Sequence, residues 1–152
     1  MTEVPYCKNL AQEWKLGDLV IKNRVAMASM TRNRDIVPSQ ATVDYYTQRA
    51  SAGIIMTEGI LVEPQGSEWP DAPGLVTEEQ VAGWTRVVES VHKKGGIIFA
   101  QLWHLGRAAN AQMNNGEPPL APSAIPAQGV PFASLLVSLG TQYQKPLRTL
   151  VT

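Results

Sequence analysis

Three short runs of mostly apolar residues, at positions 24–30, 53–62 and 96–103, show no alternation of apolar with polar side chains. A strand with one wet face alternates with a period of two, whereas a strand covered on both faces reads as a continuous apolar run. These three are therefore expected to be parallel strands lying under helices. The stretches between them fit. Val81, Trp84, Val88 and Val91 recur at three and four residues, forming an apolar stripe along a helix. Thr77 with Gln80 spells a capping box, Glu78 and Glu79 suit the positive end of the helix dipole, and Gly95 after Lys94 offers a stop. An earlier helix is expected over roughly 40–52, with Val43, Tyr46 and Ala50 on one side, Ser39 as cap and Gly53 as stop.

Strand, helix, strand, helix, strand is a repeated βαβ unit, which requires right-handed crossovers and a parallel sheet. Two architectures satisfy it, a doubly wound sheet and a β/α barrel. The first strand-to-helix connection, 31–39, contains no glycine, so the Gly-rich pyrophosphate turn of a dinucleotide-binding unit is missing and the barrel is favoured. After His104 the periodicity stops. The stretch from there to Thr152 is punctuated by Pro118, Pro119, Pro122, Pro126, Pro131 and Pro146, with no convincing helix, and reads as a long loop or irregular tail.

Composition narrows the function classes. Apolar residues make up 44% and charged ones 17%, an ordinary globular balance that excludes a collagen-like repeat, a coiled coil or a disordered chain. Thirteen Lys and Arg offset thirteen Asp and Glu, so no long-range field gathers nucleic acid or anionic lipid, and binding must come from a local site. Cys7 is the only cysteine and there are two histidines, so neither an internal disulfide nor a zinc site with the usual spacing is expected. No apolar run has membrane length, and a cytoplasmic location is the simple expectation.

In a β/α barrel the active site gathers at the C-terminal ends of the strands. Those ends carry SMTR at 29–32, TEG at 57–59 and QLWHLGR at 101–107. With NRVAMASMTR at 23–32, YYTQRA at 45–50 and APG at 72–74, the chain resembles the old yellow enzymes from about Leu16 to Gly129, with a weaker echo at 140–150. The resemblance implies an α/β fold that is a partial (β/α)8 TIM barrel, comprising the first three βα units and a long Pro-rich loop. Positions 1–23 are a lead-in, 24–104 the βαβαβ portion and 105–152 the irregular remainder. It also implies an FMN across the barrel mouth, reduced by NADPH, and reduction of the C=C bond of α,β-unsaturated carbonyl compounds.

Residue by residue, the resemblance implies that the Ala28, Ser29 and Met30 backbone runs beside the flavin and that the Thr31 hydroxyl faces its O4 and N5 region. It places the Gly59 backbone at the pyrimidine end and the Gln101 amide on the O2 and N3 edge. Trp69 and Trp103 match positions that line the substrate pocket. Ser29 departs from the family's usual proline. Each residue also has a plainer reading. Thr31 can bond its own backbone, and Gln101 can pair with a neighbouring strand. Glu58 is either a buried, paired carboxylate of structural importance, which is preferred, or a perturbed acid. His104 packs or touches the flavin edge, His92 complements a helix end, Arg32 and Arg107 are salt-bridge partners rather than phosphate clamps, and Trp84 is core.

A parallel barrel takes about eight strands and roughly 200 to 400 residues. The family's paired His-His or His-Asn for the substrate carbonyl, its tyrosine proton donor and its flavin-phosphate grip have no counterpart here. The expectation is thus part of an FMN-dependent ene-reductase, completed by the missing barrel portion or a second chain. A truncated paralogue acting only by association is one alternative, and a different flavin-dependent barrel dehydrogenase is another.

Overall fold

The computed structural model describes residues 7–123 and 125. A feature not expected from the lead-in comes first: an antiparallel hairpin of β1 (Trp14–Leu16) and β2 (Leu19–Ile21), turned at Gly17 with φ +58°. The Arg24 guanidinium sits 4.2 Å from the centre of the Trp14 ring. The chain then forms β3 (Ala26–Met27), α1 (Gln40–Thr47), β4 (Ile54–Leu61), α2 (Glu78–Lys93) and β5 (Ile98–Trp103). The last three strands make one parallel sheet in the order β3-β4-β5, with Ala26 opposite Ile54 and Ile55 opposite Ile98. The expected parallel βαβαβ pattern is present. Lys22, just after β2, donates through Nζ to the carbonyls of Ala50 and Gly95, satisfying acceptors beyond the ends of both helices.

Several local expectations need correction. The first strand is two residues long, not the whole of 24–30. Beyond Met27 the chain is tied to β4 by a side chain instead of the ladder, the Arg32 N–H donating to Glu58 Oε2 at 2.9 Å. The buried side of α2 is Gln80, Gly83, Trp84, Val87 and Val91, while Val81 is 49% exposed and Val88 is half-buried. An apolar stripe drawn from large side chains alone overlooks Gly83, which is a contact: a Cβ there would lie 2.8 Å from Pro38 Cδ. The Thr77 and Gln80 capping box forms as expected, and Gly95 follows the helix with φ +69°.

On α1, Ser39 is the N-cap residue but its hydroxyl does not bond the helix backbone. It donates to Asp35 Oδ2 at 2.7 Å, as does Thr42, and these two bonds, Ser39 first, hold the Asp35 carboxyl below its ordinary value of 3.8. The helix ends at Thr47, short of the expected 52; tighter turns from Arg49 and Ala50 back to Tyr46 and Thr47 still carry Ala50 into the interior. Gly53 is not a left-handed stop. It is glycine because a Cβ would meet the Asn23 carbonyl oxygen at 2.0 Å.

The core gathers Val43, Tyr46 and Ala50 from the α1 side, Trp84, Val87 and Val91 from α2, and Ile55 and Ile60 from β4, with Met27 and Ile98 packed at its margin. Tyr46 and Trp84 lie 5.9 Å apart between ring centres. Burial on both faces, expected of all three strands, holds for most of β4 but not for β5. Phe99 and Leu102 are 39% and 56% exposed, because β5 is the sheet edge among the described residues and only Ile98 reaches the helices. After β5 the described chain forms only single 3-10 turns at Gly106–Ala108 and Ala111–Asn114. Pro126, Pro131, Pro146 and the motif echo at 140–150 lie outside the described residues. Among the described residues no helix is long and apolar enough to cross a membrane.

Candidate active site at the strand ends

Ile55 and Ile60 both enter the helix-covered core although they are five apart, an odd number that a regular strand of period two places on opposite faces. A β-bulge resolves this. The β4–β5 register runs Met56 opposite Phe99 and then Gly59 opposite Gln101, so Thr57 and Glu58 together face the single residue Ala100. The Thr57 hydroxyl repairs the ladder, accepting the Gln101 N–H at 3.0 Å while donating to the Glu58 carbonyl at 2.8 Å. The bulge thereby turns Glu58 towards α1 and leaves Gly59 on the face away from the helices.

On that face Gly59, Gln101 and Trp103 are neighbours, since alternation puts Gln101 and Trp103 on the side of β5 opposite Ile98. A Cβ on Gly59 would lie 2.8 Å from Trp103 Cδ2 and Cε2, so the crowding that requires glycine comes from the indole. Trp103 Nε1 is buried with no hydrogen-bond partner among the described residues. A buried donor left unpaired costs about 1–3 kcal/mol, a cost that an acceptor on a bound ligand removes. The Gln101 side chain and Thr31 are exposed. Among the described residues neither the Gln101 amide nor the Thr31 hydroxyl makes an intramolecular hydrogen bond, so the plainer reading of each, a bond to its own or a neighbouring backbone, is not realised. Ala28 and Met30 are exposed and Ser29 is half-buried in the segment leading to Thr31. Donors and acceptors without partners among the described residues, on β5 and in the segment that follows β3, beside the indole that covers Gly59, fit a flat heterocycle with polar edges such as a flavin.

Trp69 lies elsewhere. It lines a cleft with Ile36, Leu61, Pro70, Ala72 and Met113, and Trp103 is not among the lining residues. The loops holding the two tryptophans are nevertheless stitched together, by Leu105 N–H to the Gly66 carbonyl at 3.0 Å and Asn110 N–H to the Ser67 carbonyl at 2.9 Å. His104 packs: its Nδ1 accepts the Gly106 N–H at 2.9 Å, and its ring lies where a Cβ on Gly66 would come within 2.6 Å. Arg107 donates to Ser123 Oγ and to the Ile125 carbonyl, holding its own loop. Arg32 stacks over Tyr45, 4.4 Å from the ring centre, with Arg49 over the same ring at 3.8 Å.

Glu58 is the residue whose setting the sequence reading left open. It is 4% exposed, its N–H donates to the Tyr46 hydroxyl at 2.8 Å, and Tyr46 in turn reaches Glu58 Oε1 at 3.5 Å. Burial raises its carboxyl above the ordinary 4.5, against the opposing pull of the Arg32 and Asn33 backbone N–H groups, the Arg32 charge and Tyr46. Arg34, Asp35 and Tyr45 share the same small cleft. A raised folded-state value means the folded chain holds this proton more tightly than the unfolded one. The Glu58 contribution to stability is therefore fully present below 4.5 and is lost as pH rises through the folded-state value. Urea denaturation over a pH series is expected to show the stability of wild type relative to Glu58→Gln falling as pH rises above 4.5; a difference independent of pH refutes the assignment.

Residues 10–148 match the model of the NADH:flavin oxidoreductase / NADH oxidase family. The chain belongs to this family. Morphinone reductase in complex with tetrahydroNAD is 44% identical with a TM-score of 0.76, over 80% of this chain and 34% of that one. The old yellow enzyme homologue from Zymomonas mobilis is 37% identical with a TM-score of 0.76, over 94% of this chain and 40% of that one. The flavin oxidoreductase hxnT of Emericella nidulans is 39% identical over 123 residues, 76% of this chain and 32% of the relative. The old yellow enzyme resemblance is thus confirmed, and over the matched span the chain has the α/β fold of part of these barrels. The chain spans about a third of the length of the curated relatives it matches.

Proposed function

We propose that the chain supplies the flavin-facing rim of an FMN-dependent oxidoreductase that uses NAD(P)H to reduce the C=C bond of α,β-unsaturated carbonyl compounds. Positions 24–104 act as the first three strand–helix units of the barrel, with 1–23 as lead-in and 105–152 as an irregular loop region. The observation that carries this reading is a set of polar groups without partners among the described residues: the exposed Gln101 amide and the buried Trp103 Nε1 on β5, and the exposed Thr31 hydroxyl in the segment beyond Met27, the last paired residue of β3. A bound FMN would supply hydride transfer from the nicotinamide to the β-carbon of the alkene.

The chain's own groups orient and tune. Thr31 would hold the O4 and N5 region through a hydrogen bond from its hydroxyl, tuning the electron affinity of the ring. Gln101 would meet the O2 and N3 edge as donor and acceptor, with the Gly59 backbone at the same end of the ring. The Ala28, Ser29 and Met30 backbone flanks the ring, while Trp103 and Trp69 bound the substrate space and exclude water. The carbonyl-anchoring pair, the proton donor and the phosphate grip come from the remaining barrel portion. Small-molecule substrate, cytoplasmic residence and the absence of nucleic-acid or membrane partners complete the reading.

The test is to purify the chain alone and together with a barrel portion completing the length of its relatives. The expected result is retained FMN, seen as the yellow flavin absorbance, and NADPH-driven enone reduction in the combined sample, both weakened by Gln101→Ala. A combined, folded sample that retains no flavin overturns the reading. Retained flavin that oxidises dihydro-substrates and leaves enones untouched assigns a different reaction to the same site.

A further inference from the structure

The exposed Thr31 hydroxyl makes no hydrogen bond among the described residues, so its location depends on how its backbone is held. Met27 is the last residue of β3 in the ladder, and residues 28–31 run on without a strand partner. The next fixed point is Arg32, whose N–H donates to Glu58 Oε2 at 2.9 Å, and the neighbouring Asn33 N–H exerts a lowering pull on the same carboxyl. Asn33 itself is left-handed, with φ +49°, a region asparagine adopts more readily than most non-glycine residues. Its Oδ1 accepts the Asp71 N–H at 2.9 Å, a second tether on the same segment. Glu58 is fixed in turn by the bulge that aims it inwards and by Tyr46, which accepts its N–H.

We propose that Glu58 is the positioning residue for Thr31, holding the segment 31–33 through its carboxylate so that the hydroxyl stays fixed beyond the end of β3. It does not touch the ligand space, and its role in the flavin site rests on the function proposed above. A carboxylate suits the task because, when ionised, it accepts the Arg32 N–H more strongly than a neutral amide oxygen does. A neutral isostere should therefore loosen the segment while leaving the sheet behind it intact.

The experiment is amide hydrogen exchange on wild type and Glu58→Gln, with Glu58→Ala as the stronger perturbation. Exchange of the Arg32 and Asn33 amides is expected to accelerate about tenfold in Glu58→Gln, more in Glu58→Ala, with the Ile55, Ile60 and Gln101 amides unchanged. Unchanged exchange at 32–33, or equal loss of protection throughout β4 and β5, overturns the proposal. A second arm titrates FMN by fluorescence quenching in the barrel-completed protein. Glu58→Gln is expected to weaken FMN binding several-fold in wild type and to have no further effect in a Thr31→Ala background; independent, additive losses overturn the role through Thr31. If wild type quenches no FMN, the flavin reading fails, and the exchange arm still decides whether Glu58 holds the segment.

Discussion

Tyr46→Ala is expected to unfold the chain or bring it to the edge of unfolding. Tyr46 is fully buried, meets Tyr45 edge-on at 5.1 Å and Trp84 at 5.9 Å between ring centres, and is the acceptor for the Glu58 N–H. Truncating a large aromatic in a packed core costs about 3–5 kcal/mol, through lost burial and the cavity left behind. A buried N–H deprived of its acceptor adds about 1–3 kcal/mol. Against the ~5–15 kcal/mol that typically holds a domain together, this sum is most of the reserve. Tyr46→Phe separates the terms, since it keeps the ring and removes only the hydroxyl; a loss of about 1–3 kcal/mol is expected. Urea denaturation followed by circular dichroism measures both, and a Tyr46→Ala protein within 1 kcal/mol of Tyr46→Phe, by the same scale of loss, refutes the core assignment.

Gly53→Ala should be nearly as damaging, although it adds one methyl group. Overpacked sites usually cost about 1–3 kcal/mol because side chains and backbone shift to make room. Here the obstruction at 2.0 Å is the Asn23 carbonyl oxygen, backbone that cannot rotate away. Asn23 is fixed further by donating through Nδ2 to the Ser51 carbonyl at 2.8 Å, while the Gly53 N–H bonds the Val25 carbonyl at 2.9 Å. Relief requires separating β3 from β4, which loses their short ladder. The expected loss is therefore at or above the upper end of that range, about 3 kcal/mol. Gly95→Ala is the control. Gly95 has open space around it and a φ of +69°, so its alanine variant meets only the left-handed penalty, about 1–2 kcal/mol. Equal losses at the two positions, measured by thermal or urea unfolding, contradict the close-approach account.

Much of the architecture was written locally. The capping box at Thr77 and Gln80, the stop at Gly95 and the continuous apolar run of β4 each act within a few residues, and all are found where local rules place them. The strand-end motifs at 29–32, 57–59 and 101–107 identified the family, which the matched span of 10–148 confirms. What was missed depends on neighbours distant in the chain. The hairpin of β1 and β2 is two three-residue strands, too short for a periodicity to register. The apolar side chains of α2 include Val81, yet the buried contact with Pro38 is made by Gly83, which carries no apolar signal. Local position suggests a stop at Gly53 and cannot reveal that Asn23 lies against it.

The candidate site divides along the same line. Residue identity alone determined which groups are available: a hydroxyl at Thr31, an amide at Gln101, a bare backbone at Gly59 and an indole at Trp103. Their arrangement was decided by tertiary structure, through the β-bulge at Thr57 and Glu58, which no period-two reading of β4 contains. That extra residue changes which way every later side chain on β4 points. It buries Ile60 and sends Glu58 towards Tyr46 and Arg32, while Gly59 is left facing Trp103. The physical reason is that a strand's faces are set by pairing as well as by sequence. Only packing against β5 and the helices chooses where the extra residue goes.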